Sequence, residues 1–260
     1  MKKFLLTLMI GILLSGIDIV SAQESLTALQ IIENNYNRED GNDETSDLIM
    51  TLINKSGDTR VRKVRQFTKE YGGDEKTVVF FLAPADVMGT SFMSWTYADE
   101  SKDDDQWIYL PALKRIKRIS SESKSDYFMG SDFTYDDIGD RLPNEDTHKL
   151  LRSETVDGQD CYVVESIPKE KDSIYSKTIS WVIKSNWIYL KREYYDEEGD
   201  LLKIDHSKKI EQVDGVWTVM HRVMENVQSI HKTDLVFSNY RYNINTPDDM
   251  FSERTLKRGL

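Results

Sequence analysis

Short apolar runs separated by turn residues follow one another through most of the chain. From Thr45 onward the runs have the length and composition of β-strands, and Gly, Asn, Asp and Pro bound them. About eleven strands are predicted up to residue 242, nearly all joined by tight turns, which indicates an antiparallel meander. Helices are predicted at residues 25–39, with Ser25 as N-cap, within 132–138, and at 248–256.

Several predicted strands carry apolar residues on both faces. In residues 216–227, Trp217 and Val223 fall on one face, whereas Met220 and Met224 fall on the other. A meander with one face in water alternates cleanly between apolar and polar residues. The pattern therefore predicts a sheet that is covered on both sides or that encloses an apolar cavity.

One stretch, residues 107–137, differs from the others. Its first part predicts a strand that reaches Pro111 and continues as a basic strand to Ile119. Its second part, residues 126–137, is aromatic and is interrupted by Gly130. This part is too polar for a central strand and too apolar for a solvated loop, so we expect it to pack over another part of the protein.

The N-terminal 22 residues have the pattern of a secretory signal peptide. Lys2 and Lys3 precede an apolar run, residues 4–14, and small residues stand before a predicted cut ahead of Gln23. We therefore expect export to the periplasm and a single mature domain, residues 23–260. No cysteine stands directly after the predicted cut, so no lipid anchor of the bacterial lipoprotein type is indicated.

The charge and cysteine content narrow the function classes. The net charge is -11, and it becomes -12 without the predicted signal peptide, which carries two lysines and one aspartate. Such an acidic protein is not expected to bind nucleic acid, where phosphate neutralisation drives binding. Cys161 is the only cysteine, so no internal disulfide can form, and its strand-like surroundings predict a buried, inert thiol.

No residue pattern predicts catalysis. The four histidines lack metal-ligand spacing, and Ser131 has no partner that the sequence identifies. The acidic cluster within residues 132–140 does not match an EF-hand loop, and hydrogen bonds to turn backbone explain it more simply than calcium. A hydrolase using these aspartates is the least favoured hypothesis. We expect a binding protein that is not an enzyme and uses no cofactor or metal.

The basic strand that follows Pro111 allows two interpretations. Arg115 and Arg118 are either surface charges facing acidic loops, or they lie at a cavity mouth and hydrogen-bond a carbonyl or a head group. In the second case, the aspartates at 132, 136 and 137 are the expected partners, since a buried arginine needs one.

Three blocks of sequence, in order, are similar to the LolA-like family of outer-membrane lipoprotein-sorting proteins. They are residues 81–90 (FLAPADVMGT), 106–119 (QWIYLPALKRIKRI) and 128–137 (FMGSDFTYDD). The resemblance covers essentially the whole mature chain, and the third block is specific to this family. It is closest to the branch found near inner-membrane transporters of the RND/MMPL type.

The resemblance implies a strongly curved, antiparallel, incomplete β-barrel with covering helices and an apolar cavity. It also implies a periplasmic carrier or acceptor of lipid or lipoprotein acyl chains. The alternative is a periplasmic adaptor for an RND/MMPL-type transporter that carries no cargo of its own. The first helix and residues 126–143 are the expected lid.

The resemblance assigns two sets of site residues. Those expected to line the cavity and its lid are Trp95, Trp107, Tyr109, Leu110, Phe128, Met129, Phe133 and Tyr135. Those expected to form a polar latch or to meet a head group are Arg115, Arg118, Asp132 and Asp137.

Overall fold

The computed structural model describes residues 26–139, 141–171 and 173–260. The predicted signal peptide and the predicted cap Ser25 lie outside these residues. One antiparallel sheet of thirteen strands dominates the fold. The strands are β1 Asp43–Ile53, β2 Thr59–Tyr71, β3 Asp74–Ala83, β4 Ser91–Thr96, β5 Asp105–Leu110, β6 Arg115–Arg118, β7 Asp146–Val156, β8 Gln159–Pro168, β9 Lys177–Ile183, β10 Tyr189–Tyr195, β11 Leu201–Val213, β12 Val216–Asn226 and β13 His231–Tyr242.

The strand order makes the sheet two consecutive meanders joined at one seam. The order across the sheet is β6-β5-β4-β3-β2-β1-β13-β12-β11-β10-β9-β8-β7. The seam is the antiparallel pairing of β1 with β13, in which Met50 lies opposite Leu235. Strands β6 and β7 are consecutive in sequence but form the two opposite edges. The chain between them must therefore run from one edge of the sheet to the other.

The predicted mainly-β fold, an open, curved antiparallel sheet, is confirmed, with thirteen strands rather than about eleven. The difference arises partly at Pro111, which begins a 3-10 turn, Pro111–Leu113, because its ring fixes the backbone dihedral φ. Lys114 then adopts a left-handed conformation with φ of 50°. The predicted strand 107–119 is consequently a hairpin in which Leu110 of β5 faces Arg115 of β6.

The two faces of the sheet can be followed because directly paired residues point to the same side. We call the face that carries Met50 of β1 and the residues paired with it the inner face. From β1 to β5 this face is apolar, and from β9 to β12 it is largely polar and charged. The apolar half is formed by Leu48, Met50, Leu52, Val64, Val79, Phe81, Phe92 and Ile108.

Helix α1, Ala28–Tyr36, covers the inner face beside β7–β10. Thr27 caps it: its hydroxyl accepts from the amide of Gln30 at 3.2 Å, and the Gln30 side chain accepts from the amide of Thr27 at 2.8 Å. The helix is thus shorter than the predicted 25–39. Its buried residues Ile31 and Ile32 pack in one apolar cluster with residues of β8 and β9.

The C-terminal residues cover the outer face of β2–β6. A 3-10 turn, Asp248–Phe251, leads into helix α2, Glu253–Arg258. Phe251 and Leu256 pack against Phe80 and Met93, and the Ser91 hydroxyl donates to the carbonyl of Leu256 at 2.5 Å. Of the two predicted arrangements, covering on both sides is thus found for the outer face of β2–β6, which the C-terminal residues cover. In the part of the chain that the structure describes, no helix has the length and apolarity needed to cross a membrane.

Candidate functional site

The connection from edge to edge lies across the inner face. We call residues 119–139 the cover segment. It contains three short 3-10 turns, Ser121–Ser123, Phe128–Gly130 and Asp136–Ile138. Its centre folds back on itself: the amide of Phe128 donates to the carbonyl of Phe133 at 2.7 Å, and Met129 and Gly130 have φ values of 51° and 73°. Gly130 tolerates this left-handed turn without steric cost.

Aromatic side chains attach the cover segment to the apolar half of the inner face. The ring of Phe128 lies 5.9 Å from that of Phe81, 5.1 Å from that of Phe92 and 5.5 Å from that of Tyr135, measured between centroids. Phe128 is 4% exposed, and Phe133 is 5% exposed. These rings fill the space that the resemblance assigns to an apolar cavity.

Two surface pockets lie elsewhere. One, of about 530 Å³, is lined by residues of β1, β2 and β13 that include Arg65 and Tyr240. The other, of about 500 Å³, lies beside Pro168 and Tyr175. Neither is lined by the cover segment. The cover segment lies closed on the inner face, with its own rings packed against the apolar half of the sheet.

Asp132 forms the first polar anchor of the cover segment, on β13. Its carboxylate accepts a hydrogen bond from the Thr233 hydroxyl at 2.7 Å and lies 2.8 Å from Nδ1 of His231. Its backbone amide donates to the Thr233 hydroxyl oxygen at 2.9 Å. Asp132 and Thr233 are buried, so these bonds are shielded from water.

Asp137 forms the second polar anchor, on β11. Its carboxylate pairs with Nζ of Lys203 at 2.5 Å and accepts from the Tyr175 hydroxyl at 3.0 Å. Lys203 is fully buried, and its Nζ also donates to the backbone carbonyl of Asp132 at 3.1 Å. Burial, and next the charge of Asp137, raise the pKa of Tyr175 far above its usual value. The hydroxyl therefore remains a proton donor.

Arg62 of β2 forms the third polar anchor. Its guanidinium donates to the backbone carbonyl of Met129, at the tip of the cover segment, and lies 5.9 Å from the centre of the Phe81 ring. Arg62 is 8% exposed, and burial lowers its pKa. A buried guanidinium that lacked this carbonyl would lose a strong hydrogen bond, so Arg62 favours the closed arrangement.

Comparison with known proteins defines the family. The model of a family of uncharacterized proteins matches residues 73–258. A domain from Vibrio parahaemolyticus described as an outer membrane lipoprotein-sorting protein is 35% identical, with 89% of this chain and 98% of that chain covered and a TM-score of 0.84. The chain belongs to the LolA-like family of lipoprotein-sorting proteins.

Two further structures agree with this family. A DUF1329 family protein from Desulfovibrio piger is 33% identical to this LolA-like chain, with 88% and 97% of the two chains covered and a TM-score of 0.84. A LolA superfamily protein from Nitrosomonas europaea, 21% identical over 88% and 98% of the chains, shares the fold with a TM-score of 0.68. No curated protein matches the sequence.

The structure divides the predicted cavity residues of this LolA-like protein between the two faces. Leu110, Phe128, Met129, Phe133 and Tyr135 belong to the inner-face cluster. Trp95, Trp107 and Tyr109 lie on the outer face, packed with Phe251 and Leu256. Successive strand residues point to opposite sides, so Trp107 and Tyr109 point away from Ile108 and Leu110. These three aromatic residues pack under the C-terminal helix and not in the predicted cavity.

The predicted pairing of Arg115 or Arg118 with the aspartates of the cover segment is wrong. Arg118 bonds instead to Asp105 of the neighbouring strand, with its Nε 3.0 Å from the carboxylate. Arg115 is exposed on the edge strand β6. Strand β6 is an edge strand, six positions across the sheet from β13 and eight from β11, where Asp132 and Asp137 are held.

The residues that hold the cover segment were missed from the sequence. They are hydrogen-bond donors on distant elements, namely Tyr175, Lys203, His231 and Thr233, together with Arg62 on the apolar half. One signal could have indicated Lys203: it stands among apolar neighbours in Leu201-Leu202-Lys203-Ile204, where an alternating strand turns it inward.

Candidate catalytic and metal-binding groups have structural roles where they are described. The Ser131 hydroxyl is buried and accepts a hydrogen bond from the amide of Phe133 at 3.2 Å, within its own turn. Cys161 is buried in the core. Across residues 26–139, 141–171 and 173–260, no group of three or more His, Cys, Asp or Glu side chains is placed to hold a metal ion.

Proposed function

We propose that this LolA-like protein carries acyl chains of a lipid or lipoprotein on the apolar half of its inner face. The observation that carries the proposal is the cover segment, whose buried rings occupy an apolar surface and are held by three polar anchors. Each CH₂ group moved from water to an apolar surface gains about 0.8 kcal/mol. An acyl chain can therefore compensate for displacing Phe128, Phe133 and their neighbours.

The proposal requires two states of the cover segment, one with the anchors formed and one without them. In the closed state Arg62, Lys203 and Thr233 bond to it. In the proposed loaded state the segment lifts from the inner face and acyl chains take the place of its rings. The segment consists of short turns that are hydrogen-bonded mainly to one another, and none of its residues belongs to a strand of the sheet. It can therefore move as a unit without breaking a strand pairing.

The proposed setting is the periplasm, where an exported carrier would work with an inner-membrane transporter of the RND/MMPL type. The predicted signal peptide and the lipoprotein-sorting relative from Vibrio parahaemolyticus support this setting. The inner-membrane transporter would supply the energy for loading the cargo, because the carrier has no energy source of its own.

A reversible cross-link tests whether the segment must open. Asp132 and Thr233, whose side chains are 2.7 Å apart, are replaced by cysteine in a Cys161→Ser background. We expect the oxidised protein to take up no fluorescent phospholipid or acylated peptide, and the reduced protein to take it up. Native mass spectrometry measures the bound lipid.

The matched control is a second cysteine pair that leaves the cover segment untouched. Thr68 and Thr77 of β2 and β3 also have side-chain oxygens in contact, at 3.0 Å. Oxidation of this pair should leave lipid uptake unchanged. Equal uptake by the oxidised and reduced forms of the Asp132/Thr233 pair would show that the segment is not a lid.

The adaptor function is the second candidate, and the filled inner face favours it. Phe81 and Phe92 are 1% and 0% exposed beneath the cover segment, as expected for a protein that keeps no room for cargo. If neither form of the cross-linked protein binds any lipid while both still bind the transporter in a pull-down, the adaptor is correct and the carrier is wrong.

A further inference from the structure

The polar half of the inner face carries more positive than negative charge. Arg192 of β10, Lys203 of β11 and Arg222 of β12 point inward, and Asp205 of β11 is the carboxylate among them. Asp205 accepts three hydrogen bonds from Arg222, at 2.9, 2.9 and 2.5 Å. The strands alone thus supply three cations and one acid at this place.

Arg192 lies opposite Asp205 in the pairing of β10 with β11, but the Asp205 carboxylate is bonded to Arg222 and forms no ion pair with Arg192. Its Nε donates to the Ser180 hydroxyl at 3.0 Å, and its guanidinium lies 3.7 Å from the centre of the Tyr189 ring. Among the residues that the structure describes, none of its nitrogens lies within 4.0 Å of a carboxylate oxygen. The stack, the bond to Ser180 and a further hydrogen bond to the Tyr194 side chain fix the plane of the guanidinium. The N–H groups that these bonds do not use are oriented for a planar or tetrahedral oxyanion.

The cover segment supplies the negative charge that balances Lys203. Asp137 pairs with Lys203, and Phe133 lies 4.8 Å from the guanidinium of Arg222. Lys203 and Arg192 border one ring, since Nζ of Lys203 and Cζ of Arg192 lie 5.0 Å and 6.0 Å from the centre of Tyr194. When the segment lifts, Asp137 leaves with it, and this surface, in which Arg192 and Arg222 are partly exposed, keeps a net charge of two positive units.

Acyl chains that replace the segment would keep water away from Lys203, which is fully buried beneath it, and an unpaired cation in such surroundings is costly. An anionic group that replaces Asp137 would remove that cost, so it would stabilise the open state as well as bind to it. We propose that Arg192, Lys203 and Arg222 form a site for the oxyanion of an amphiphilic cargo, a phosphate or a carboxylate. Asp137 occupies this site as an internal substitute when no cargo is present.

The position of this site fits an amphiphile with its tail on the apolar half. Four strand spacings of about 4.8 Å separate β12 from β3, which places Arg222 roughly 19 Å from Phe81 along the sheet. A head group bound at β10–β12 therefore leaves the chains free to lie over β1–β5. This inference rests on the proposed carrier function and narrows its cargo to anionic lipids.

The test compares lipids that share acyl chains and differ in charge. Vesicles of phosphatidylcholine containing either dioleoylphosphatidylglycerol or dioleoylglycerol are incubated with the full chain, and the protein is then analysed by native mass spectrometry. We expect at least a tenfold preference for the phosphatidylglycerol. Arg192→Gln should weaken phosphatidylglycerol binding about tenfold and leave dioleoylglycerol binding unchanged, because a charge-assisted hydrogen bond is lost.

Two further variants keep the test decisive. Ser180→Ala, which removes only the bond to Nε, should lower the preference in a protein that still folds. Arg254→Gln, at an exposed position of helix α2 beyond the outer face, should leave it unchanged. Oleate binding that depends on Arg192 in the same way would assign a carboxylate in place of a phosphate. Equal binding of the charged and neutral lipids would overturn the anion site and keep the carrier, whereas binding of neither would overturn both.

Discussion

Replacing Lys203 by methionine tests whether the buried ion pair with Asp137 holds the cover segment in place. Methionine is similar in length but has no charge, so Asp137 would remain buried, at 4% exposed, without its cation. Removal of one partner from a buried pair costs about 3–5 kcal/mol. We therefore expect the free energy of unfolding to fall by about 4 kcal/mol and the melting temperature by roughly 8–15 °C.

The same strand offers a matched control for this substitution. Lys209 of β11 pairs with Glu211 at 2.7 Å, but the two side chains are 58% and 42% exposed. Exposed pairs contribute about 0–1 kcal/mol, so Lys209→Met should change stability by less than about 1 kcal/mol. Urea denaturation followed by circular dichroism measures both variants.

A double variant separates the loss of the pair from the loss of the lysine. Adding Asp137→Asn to Lys203→Met removes the charge that the single substitution leaves buried. The double variant should therefore be more stable than Lys203→Met alone. Two results would contradict this reasoning. The first is that Lys203→Met lowers the free energy of unfolding no more than Lys209→Met does. The second is that Asp137→Asn lowers it further in the Lys203→Met background, by as much as it does in the wild type.

Three further predictions concern the core and titratable groups. Phe128→Ala should lower the free energy of unfolding by about 3–5 kcal/mol, measured in urea, whereas Leu113→Ala, at a position 54% exposed, should change it by less than about 0.5 kcal/mol. Burial raises the pKa of Cys161 to about 11, so its thiol should resist iodoacetamide at pH 8 and react once urea unfolds the protein. Burial raises the pKa of Asp104 to about 6, from 3.8; the folded state then binds more protons between these values, so stability falls as the pH rises from about 4 to 6. Asp104→Asn removes this dependence. The urea midpoint of the variant, measured relative to that of the wild type, should therefore be higher at pH 7 than at pH 4.5.

The strands could be predicted from the sequence because turn residues separate them. Gly57, Gly158 and Gly215 each mark a tight turn, and all three have positive φ. The division at Pro111 was missed because the residues on both sides of it have strand composition. A hairpin and a continuous strand differ there only in the conformation of four residues.

The role of the cover segment was predicted more fully than its partners. Its mixture of aromatic and acidic residues indicated a segment that packs over an apolar surface. Its anchors depend on strand order, because Asp137 and Lys203 are 66 residues apart and Asp132 and His231 are 99 residues apart. Arg115 and Arg118 are nearer in sequence, yet the topology places them at the edge of the sheet.

The seam between β1 and β13 governs the order in which the chain can fold. Strand β1 pairs with β2 at once, but its other neighbour comes nearly 180 residues later, and the anchors Lys203 and Thr233 also lie in the last third of the chain. Long-range pairings form late, because loop closure must precede them. While the chain is being synthesised, the first meander therefore forms with the inward side chains of Leu48, Val64 and Phe81 unprotected. Until the C-terminal strands pair and the cover segment docks, these side chains are open to non-native contacts and aggregation.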